Sequence, residues 1–300
     1  MRVQYASDLH LEVPPRGGGT PPFASLLTPS APYLALCGDV GRADRPEALC
    51  AFLTWCAARW RRVFYVPGNH EFYGEDAERW LYKPPLPPDR LIAALRDIAQ
   101  RAGPNVHLLH REAVYLPEHN VAVVGATLWS HVPPAEYGTA STGMNDYRRI
   151  AASSGVRAGP ATTSEWHAQD VAYIDAALRE WSSASVLVLT HHLPTSALIH
   201  PQYEGHPLNV CFASDCSSLL RSPVRAWLCG HTHTPSTHVT VGGIVCAVNP
   251  RGYPGLEAPV RGFCATRCVD VPDDGGPAEV VAAVAAPLNV VVDLDDVTLL

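Results

Sequence analysis

The residues of this chain best suited to chemistry are Asp, Asn and His side chains in five short segments, each placed after an apolar run. The segments are Asp8-Leu9-His10, Gly38-Asp39, Gly68-Asn69-His70-Glu71, His191-His192 and Gly230-His231-Thr232-His233. Carboxylate, amide and imidazole groups bind divalent transition metals in proteins. A hydrolase that works with two metals needs about seven such groups. The five segments supply them and predict a hydrolytic metal centre.

The spacing within two segments lets pairs of side chains reach one ion. In an extended strand, residues two apart point the same way, so Asp8 can act with His10, and His231 with His233. Ligands of open α/β sheets also bind beyond the carboxyl ends of the strands. Any one segment alone is more typical of a turn or a helix cap. The set of five, each at the end of an apolar run, is what indicates a site.

The elements that must position these segments are short β-rich runs that alternate with amphipathic helices. The predicted strands are Val3–Ala6, Tyr33–Cys37, Val63–Val66, Val106–Leu109, Val121–Gly125, Val186–Thr190, Ala226–Cys229 and Gly243–Val248. Helices are predicted over Arg45–Arg59, Arg90–Ala102 and Glu165–Trp181, where apolar residues recur with the period of a helix. This alternation predicts an α/β fold.

Two segments interrupt the alternation and are predicted to be surface loops. Tyr82–Pro88 is too rich in proline for a helix or a central strand, and Pro133–Thr163 is dominated by Pro, Gly, Ser, Thr and Ala. Loops longer than about 12 residues are uncommon in compact domains, so these are either walls of the active-site cleft or disordered insertions. Past Gly262 the composition turns to Val, Ala and Asp, and this tail is expected to add strands to the same fold.

Length and composition indicate a folded protein with an acidic surface. Of the 300 residues, 47% are hydrophobic and 17% are charged, which is enough apolar material for one large core or two smaller ones. The net charge of -7 disfavours nucleic acid as a partner, because proteins that neutralise phosphate backbones usually carry a basic face. The nine cysteines form no CxxC pair and are expected to be reduced thiols.

The chain shows no sign of a leader peptide or of a membrane span. It begins with a predicted strand, and its longest apolar stretch, residues 278–292, is interrupted by Glu279 and Pro287. That stretch is shorter than the roughly 20 residues that span a bilayer. We therefore expect a cytoplasmic protein with no membrane partner.

Taken in order, the five segments match a pattern of D-x-H, G-D, G-N-H-[ED], a strand-end His and G-H-x-H, from Tyr5 to His233. In this pattern the chain resembles the calcineurin-like metallophosphoesterase superfamily. The resemblance implies a four-layer α/β/β/α sandwich of two mixed β-sheets, with a binuclear metal site at the carboxyl ends of the strands. We expect one domain over residues 1–300, with the motifs in a core of 1–255 and a strand-rich extension at 256–300.

The resemblance also implies which residues bind the metals and which act in catalysis. The first metal would be held by Asp8, His10, Asp39 and His233. The second would be held by Asp39, Asn69, His191 and His231. Asp39 would bridge the two ions, and His70 would donate a proton to the leaving-group oxygen or bind phosphate as a positive charge. The family places its ligand first after the strand, which favours His191 over His192, and Glu71 is expected to anchor its loop by capping.

The donor set narrows the choice of metals. Imidazole, carboxylate and amide groups without a thiolate suit Mn, Fe or Zn, and also Co or Ni, better than Ca, and they do not resemble a structural zinc site. A competing zinc site could combine Cys211 and Cys216 with His231 and His233. That alternative is disfavoured because it leaves the Asp and Asn residues of the other segments without a role.

Departures from the family pattern narrow the subclass. The protein Ser/Thr phosphatases of the superfamily carry GDxxDRG, but here Ala43 stands where their phosphate-binding Arg would be, and Pro67 precedes Gly68. Both features favour the phosphodiesterase-like and small-phosphatase branches. Three further segments resemble stand-alone phosphoesterases of the superfamily: Thr127–Ser130, Met144–Tyr147 and Asn249–Pro254. Side chains there and nearby that suit phosphate oxygens are Asn145, Arg148 and Arg251.

The resemblance implies a phosphoesterase that hydrolyses a phosphomonoester or phosphodiester of a small phosphorylated molecule or nucleotide, through attack by a metal-bridging hydroxide. One alternative is a non-catalytic scaffold with the same fold, and another is a nuclease. A scaffold is disfavoured because the chain retains the ligands and the proton donor. A nuclease is disfavoured by the acidic net charge.

Overall fold

Two six-stranded β-sheets form the framework of the protein in the computed structural model. The structure describes residues 1–13, 18, 21–74, 84–235, 237–255, 260, 262–272 and 276–282. The strands are β1 (Arg2–Ala6), β2 (Tyr33–Cys37), β3 (Arg62–Val66), β4 (Val106–Leu108), β5 (Glu112–Leu116), β6 (Val121–Gly125), β7 (Ala151–Ser153), β8 (Val156–Arg157), β9 (Ser185–Leu189), β10 (Val224–Cys229), β11 (Thr237–Val241), β12 (Ile244–Val248), β13 (Arg267–Asp270) and β14 (Glu279–Ala282). The α-helices are α1 (Pro46–Ala57), α2 (Pro88–Ala102), α3 (Tyr137–Gly143), α4 (Asp146–Arg149) and α5 (Pro160–Glu180).

The first sheet has the strand order β14-β13-β1-β2-β3-β4. Its strands β1 to β4 are parallel, whereas β13 and β14 extend it in the antiparallel sense beside β1. The described part of the C-terminal tail therefore adds strands to this sheet, as the composition predicted. The other residues of the predicted extension, 256–259, 261, 273–275 and 283–300, lie outside the described residues.

The second sheet has the strand order β11-β12-β10-β9-β6-β5. Its inner strands β6, β9, β10 and β12 are parallel, and β5 and β11 close its edges in the antiparallel sense. Both large sheets are thus mixed. Strands β7 and β8 form a separate antiparallel pair among the described residues.

Alternate residues of each buried strand face opposite sides, and this creates the layers. In β2, Tyr33 and Ala35 face the core between the two sheets, while Leu34 and Leu36 pack with the buried faces of α1 and α2.

The second sheet has the same arrangement on its own outer face. Leu187 and Leu189 of β9 belong to the core between the sheets, and Val186 and Val188 pack with the buried residues of α5. The four-layer α/β/β/α sandwich of two mixed β-sheets is therefore confirmed.

All three predicted helices and all eight predicted strands are confirmed, with ends that differ by a few residues. The helices begin earlier or later than the periodicity indicated because Pro46, Pro88 and Pro160 occupy their first turns. Proline is favoured there because the backbone N–H of a first-turn residue has no partner within the helix. The edge strands β5 and β11 were not predicted. Most of their residues are half-exposed or exposed, because each strand lies at an edge of its sheet. None of the described helices combines the length and the apolar character needed to cross a bilayer.

The prediction that 133–163 is a loop was wrong. This segment holds α3, α4, the β7–β8 pair and the first turn of α5. Its small and polar composition concealed two short helices, which pack through Ala140, Met144 and Tyr147 against Val132 and Cys211. In the other predicted loop, residues 84–87 have no helix or strand, and Tyr82 and Lys83 lie outside the described residues.

Candidate metal centre

The five polar segments meet at one edge of the sandwich, because their strands end there. Asp8, Asp39 and Asn69 follow β1, β2 and β3 of the first sheet, and His191 and His231 follow β9 and β10 of the second sheet. Both sheets therefore contribute to the same cluster of side chains, as expected for ligands beyond the carboxyl ends of parallel strands.

Sharp backbone turns bring successive residues of these segments into one space. Asp8, His10, Asp39, His231 and His233 have φ of 54°, 46°, 53°, 73° and 43°. This left-handed region is rare for residues other than glycine, although Asp and His enter it more often than most. Such strained conformations concentrate at functional sites, where the surrounding structure must impose them.

The first group of candidate ligands lies where the ends of β1 and β10 meet. The Nε2 atoms of His10 and His233 are 2.9 Å apart, and Asp8 Oδ1 lies 3.2 Å from His233 Nε2. Asp39 Oδ2 lies 3.8 Å from His10 Nε2. All of these atoms are of types that coordinate divalent transition metals.

The second group lies beside the first and uses the other oxygen of Asp39. His191 Nε2 is 3.0 Å from Asn69 Oδ1, 3.2 Å from His231 Nδ1 and 3.4 Å from Asp39 Oδ1. The two oxygens of the Asp39 carboxylate therefore face the two groups.

These spacings fit metal coordination. Two ligand atoms each about 2.1 Å from an ion lie about 3.0 Å apart at a right angle and about 3.4 Å apart at a tetrahedral angle. The ring orientations also fit: His10 Nδ1 lies 2.9 Å from Glu12 Oε1, and His191 Nδ1 lies 2.9 Å from the carbonyl oxygen of Cys37. Because both partners only accept, each Nδ1 donates its proton to its partner, and this turns each Nε2 toward its group of candidate ligands.

Residues 1–235 match the family model of the calcineurin-like phosphoesterases. The chain belongs to this family. It is 32% identical over 269 residues to an uncharacterized protein of Acanthamoeba polyphaga mimivirus, covering 84% of this chain and 92% of that protein. Its fold is similar to that of the phosphopantetheinyl hydrolase of Mycobacterium tuberculosis, with a TM-score of 0.61 and 21% identity over 84% of this chain and 89% of that one.

Membership of this phosphoesterase family confirms that the chain is a hydrolase of phosphoric esters and that its chemistry uses divalent metal ions. Three groups of Asp, Glu and His in the described part of the chain could hold such an ion. They are Asp8 with His10 and His233, Asp39 with His191 and His231, and His10 with Glu12 and His70.

In this phosphoesterase, His192 lies outside those three groups although its neighbour belongs to one. Its ring is buried 5.5 Å from Trp129 and 4.2 Å from His231, measured between ring centroids. Burial, together with the charge of His191, holds the pKa of His192 well below its usual value. The geometry therefore favours His191 as the candidate ligand.

The charges of the candidate ligands balance one another. Burial alone raises the pKa of Asp39, but the neighbouring His191 and His70 outweigh this effect and hold it well below its usual range. The pKa of Asp8 is lowered in the same way, since His233 outweighs its burial. Both carboxylates are thus ionised, as metal binding requires.

Glu71 anchors the loops that carry Asp39 and Asn69, so the capping prediction is confirmed. Its buried carboxylate accepts hydrogen bonds from four backbone N–H groups and from one phenol: those of Asp39, Val40, Gly41, Gly68 and Tyr65. Every partner donates, so the Glu71 carboxylate holds these loops together as a shared hydrogen-bond acceptor.

The glycines of three motifs allow side chains to approach the backbone closely. A Cβ at Gly38 would lie 2.4 Å from His191 Nδ1, one at Gly68 would lie 2.3 Å from Asp39 Oδ1, and one at Gly230 would lie 2.6 Å from Asp8 Oδ2. No side chain fits at these distances. The glycines are therefore required by packing against candidate ligands.

We expect Gly68→Ala to lower metal affinity roughly 10- to 100-fold, the range seen when the partners that orient a ligand are changed. The new methyl group would displace the Asp39 carboxylate. Metal content per chain, measured after dialysis against a fixed Mn²⁺ concentration, checks this. Gly138→Ala is the matched control, because a Cβ there meets nothing within 4 Å. Equal metal content in the two variants would contradict the prediction.

His70 lies beside the candidate ligands and is held by three groups. Its backbone N–H donates to Asp39 Oδ1 at 2.9 Å. In the ring, Nδ1 lies 2.9 Å from Glu12 Oε1, and Nε2 shares a hydrogen bond of 2.8 Å with the hydroxyl of Tyr253. Burial lowers the pKa of His70, but the charges of Asp39 and Glu12 raise it above the usual value. Sequence analysis missed Glu12, and it singled out the segment that contains Tyr253 without giving that residue a role.

Asn69 is oriented by a residue that sequence analysis also missed. Its Nδ2 donates to Asp146 Oδ1 at 2.8 Å, and the hydroxyl of Tyr73 donates to the same oxygen at 2.6 Å. The Asn69 amide is thereby turned so that its oxygen faces His191. The Met144–Tyr147 segment was a signal in this region, but it had suggested a substrate contact and not a support for Asn69.

One cavity of about 260 Å³ opens above the candidate ligands. It is lined by Asp39, Asn69, His70, Tyr73, Gly143, Met144, Asn145, Phe212, His231, Thr232, His233 and Tyr253. Of the three predicted substrate contacts, the structure brings Asn145 to this cavity. Arg148 donates to the carbonyl oxygen of Thr142 and Arg251 to that of Leu9, and neither is among the described residues that line it.

Two other sequence features lie apart from the cavity. Arg42, which stands beside the substituted Ala43, forms a bidentate ion pair with Asp44 at 2.8 and 2.6 Å. Cys211 and Cys216 pack in apolar clusters, and neither joins a candidate metal group in the described part of the chain. The nine cysteines are free thiols.

Proposed function

We propose that this phosphoesterase hydrolyses phosphate esters of small molecules with two divalent transition-metal ions. The observation that carries the proposal is the position of Asp39, whose two oxygens face two groups of donors at the floor of one cavity. The proposed ligands of the first ion are Asp8, His10, Asp39 and His233. Those of the second ion are Asp39, Asn69, His191 and His231.

The donor set supports Mn, Fe or Zn as the metals, with Co and Ni also compatible, since it contains no thiolate. When bound, such a pair of ions supplies the activation of a water molecule and the neutralisation of phosphate oxygens. The chain's own contribution is to hold the donors in place. Glu12 and the Cys37 carbonyl group orient His10 and His191, and Asp146 orients Asn69.

His70 is proposed to donate the proton that the leaving-group oxygen takes up. Its side chain lines the cavity and its backbone N–H is fixed by Asp39, so the ring is placed to reach the leaving group of a substrate bound there. Its Nε2 atom faces Tyr253 at 2.8 Å. The phenol of Tyr253 remains protonated because burial raises its pKa, and it can hold Nε2 until a substrate oxygen replaces it.

The size and lining of the cavity support a small substrate. A volume of about 260 Å³ is slightly below the range of roughly 300–1,000 Å³ for small-molecule sites. Asn145 offers an amide to phosphate or to an adjacent group, and Met144 and Phe212 offer apolar contact. The net charge of -7 gives no support to a nuclease.

A panel of esters measured on one metal-loaded preparation tests the proposal. It contains 4-nitrophenyl phosphate, bis(4-nitrophenyl) phosphate, nucleotides, cyclic nucleotides and a phosphopantetheinyl ester, the last chosen for the name of the hydrolase with a similar fold. We expect turnover of monoesters or diesters that is lost on chelation and restored by Mn²⁺. Stoichiometric metal with no turnover of any ester would instead identify a scaffold.

A further inference from the structure

Glu12 lies between the candidate metal ligands and the proposed proton donor. It stands in the loop after β1, and its side chain is 9% exposed. A single oxygen, Oε1, lies 2.9 Å from His10 Nδ1 and 2.9 Å from His70 Nδ1. The ring centroids of the two histidines are 4.6 Å apart. Glu12 is therefore shared by two imidazoles with different proposed roles.

This sharing fixes the protons of both rings. A carboxylate only accepts, so each Nδ1 atom must carry a proton and donate it to Oε1. Nε2 of neutral His10 is thereby left as a lone-pair donor, and Nε2 of His70 is directed into the cavity.

We propose that Glu12 is a positioning residue for catalysis, which holds the His70 ring for proton donation and ties its orientation to that of His10. The inference rests on the proposed function. In the reaction, the water oxygen bonds to phosphorus and the bond from phosphorus to the leaving group breaks. The leaving-group oxygen takes the proton from His70 Nε2, and a proton derived from the attacking water restores it. Glu12 remains a carboxylate throughout and accepts the hydrogen bond that His70 Nδ1–H donates.

The kinetic test compares Glu12→Gln and Glu12→Ala with the unchanged protein at saturating Mn²⁺. We expect kcat for phenyl phosphate to fall roughly 10- to 100-fold, as for other groups that orient a reactive or ligating histidine. KM should change little. The fall in kcat should be smaller for 4-nitrophenyl phosphate, because the 4-nitrophenolate ion is a good leaving group without protonation. Glu47→Gln is the matched control, since Glu47 borders the same small cavity as Glu12 on the side of α1. An equal loss for both esters would overturn the proposal.

A double-mutant cycle separates positioning from general destabilisation. If Glu12 acts through His70, then Glu12→Gln in a His70→Ala background should lower kcat no further at matched metal content. Residues that act as one unit show this non-additivity. A second full loss in the double variant would show that Glu12 acts elsewhere and would overturn the proposal.

A measurement on the metal-free protein gives a readout that does not depend on turnover. Ring ¹⁵N chemical shifts should show His70 Nδ1 protonated in the unchanged protein and in Glu47→Gln, both when Nε2 carries a proton and after Nε2 has lost it, and a mixture of neutral tautomers at high pH in Glu12→Ala. The isosteric Glu12→Gln variant provides the same comparison if Glu12→Ala does not fold. Unchanged shifts in both variants would overturn the role of Glu12. Normal shifts with no turnover of any ester would overturn the proposed function instead.

Discussion

Replacing Asp39 with alanine should lower kcat/KM for 4-nitrophenyl phosphate at least about 1,000-fold, which corresponds to about 4 kcal/mol. Its two oxygens face both groups of candidate ligands, and one of them also accepts the backbone N–H of His70. Removal of this carboxylate therefore removes a ligand from each proposed ion and a support of the proposed proton donor. Metal content per chain should fall together with the rate.

A control for the loss of one negative charge is Asp97→Ala. Asp97 is an exposed residue of α2 that pairs with Arg101, far along the chain from any of the motif segments. It should retain full activity and full metal content. If Asp39→Ala hydrolysed the ester at the unchanged rate in Mn²⁺ buffer, the assignment of the site would be wrong.

His70→Ala should lower kcat by about 100- to 10,000-fold for an ester with a poor leaving group, the usual contribution of a positioned proton donor. The loss should be much smaller for 4-nitrophenyl phosphate, whose phenolate leaves without a proton. Metal content should stay at the level of the unchanged protein, because His70 is proposed to act on the substrate. The measurement is kcat across a series of aryl and alkyl phosphates, with metal analysis of the same samples.

Two outcomes would revise the role of His70. A loss of bound metal would make it a ligand, as its place in the group with His10 and Glu12 allows. A loss that is uniform across leaving groups, with a higher KM, would favour phosphate binding by a charged ring. His238→Ala, at an exposed position of β11, controls for the loss of a histidine.

The sequence was sufficient for those parts of the site that depend on local order along the chain. Asp8, Asp39 and His231 each follow an apolar run, and a buried parallel strand both produces such a run and ends at the ligand-bearing edge of its sheet. The fold could be predicted for the same reason. Alternating strands and helices leave few arrangements that bury both faces of a sheet.

Residues that support the site from a distance could not be found in this way. Asp146 lies 77 positions from Asn69, and Tyr253 lies 183 positions from His70. Their roles depend on which loops the folded chain brings together, and a single sequence does not record that. Glu12 is close in sequence to His10, but a glutamate in a loop is ordinarily a solvated residue.

The arginines show a related limit of sequence reasoning. A guanidinium group suits a phosphate, but it suits a backbone carbonyl oxygen equally well. Arg148 and Arg251 are both used in the second way. Residue type alone could not separate these two uses, whereas the amide of Asn145 reaches the cavity.

The convergence of two sheets on one cluster has a consequence for stability as well as for catalysis. Asp8 and His10 follow a strand of one sheet and His233 follows a strand of the other, so an ion bound to all three would cross-link the layers as a disulfide joins the segments of a small secreted protein. A ligand that binds only the folded state raises the free energy of unfolding, by about 2.7 kcal/mol when its free concentration is 100 times its Kd. The supply of free metal would then determine how long the chain persists in its folded form, and not only how fast it turns over substrate.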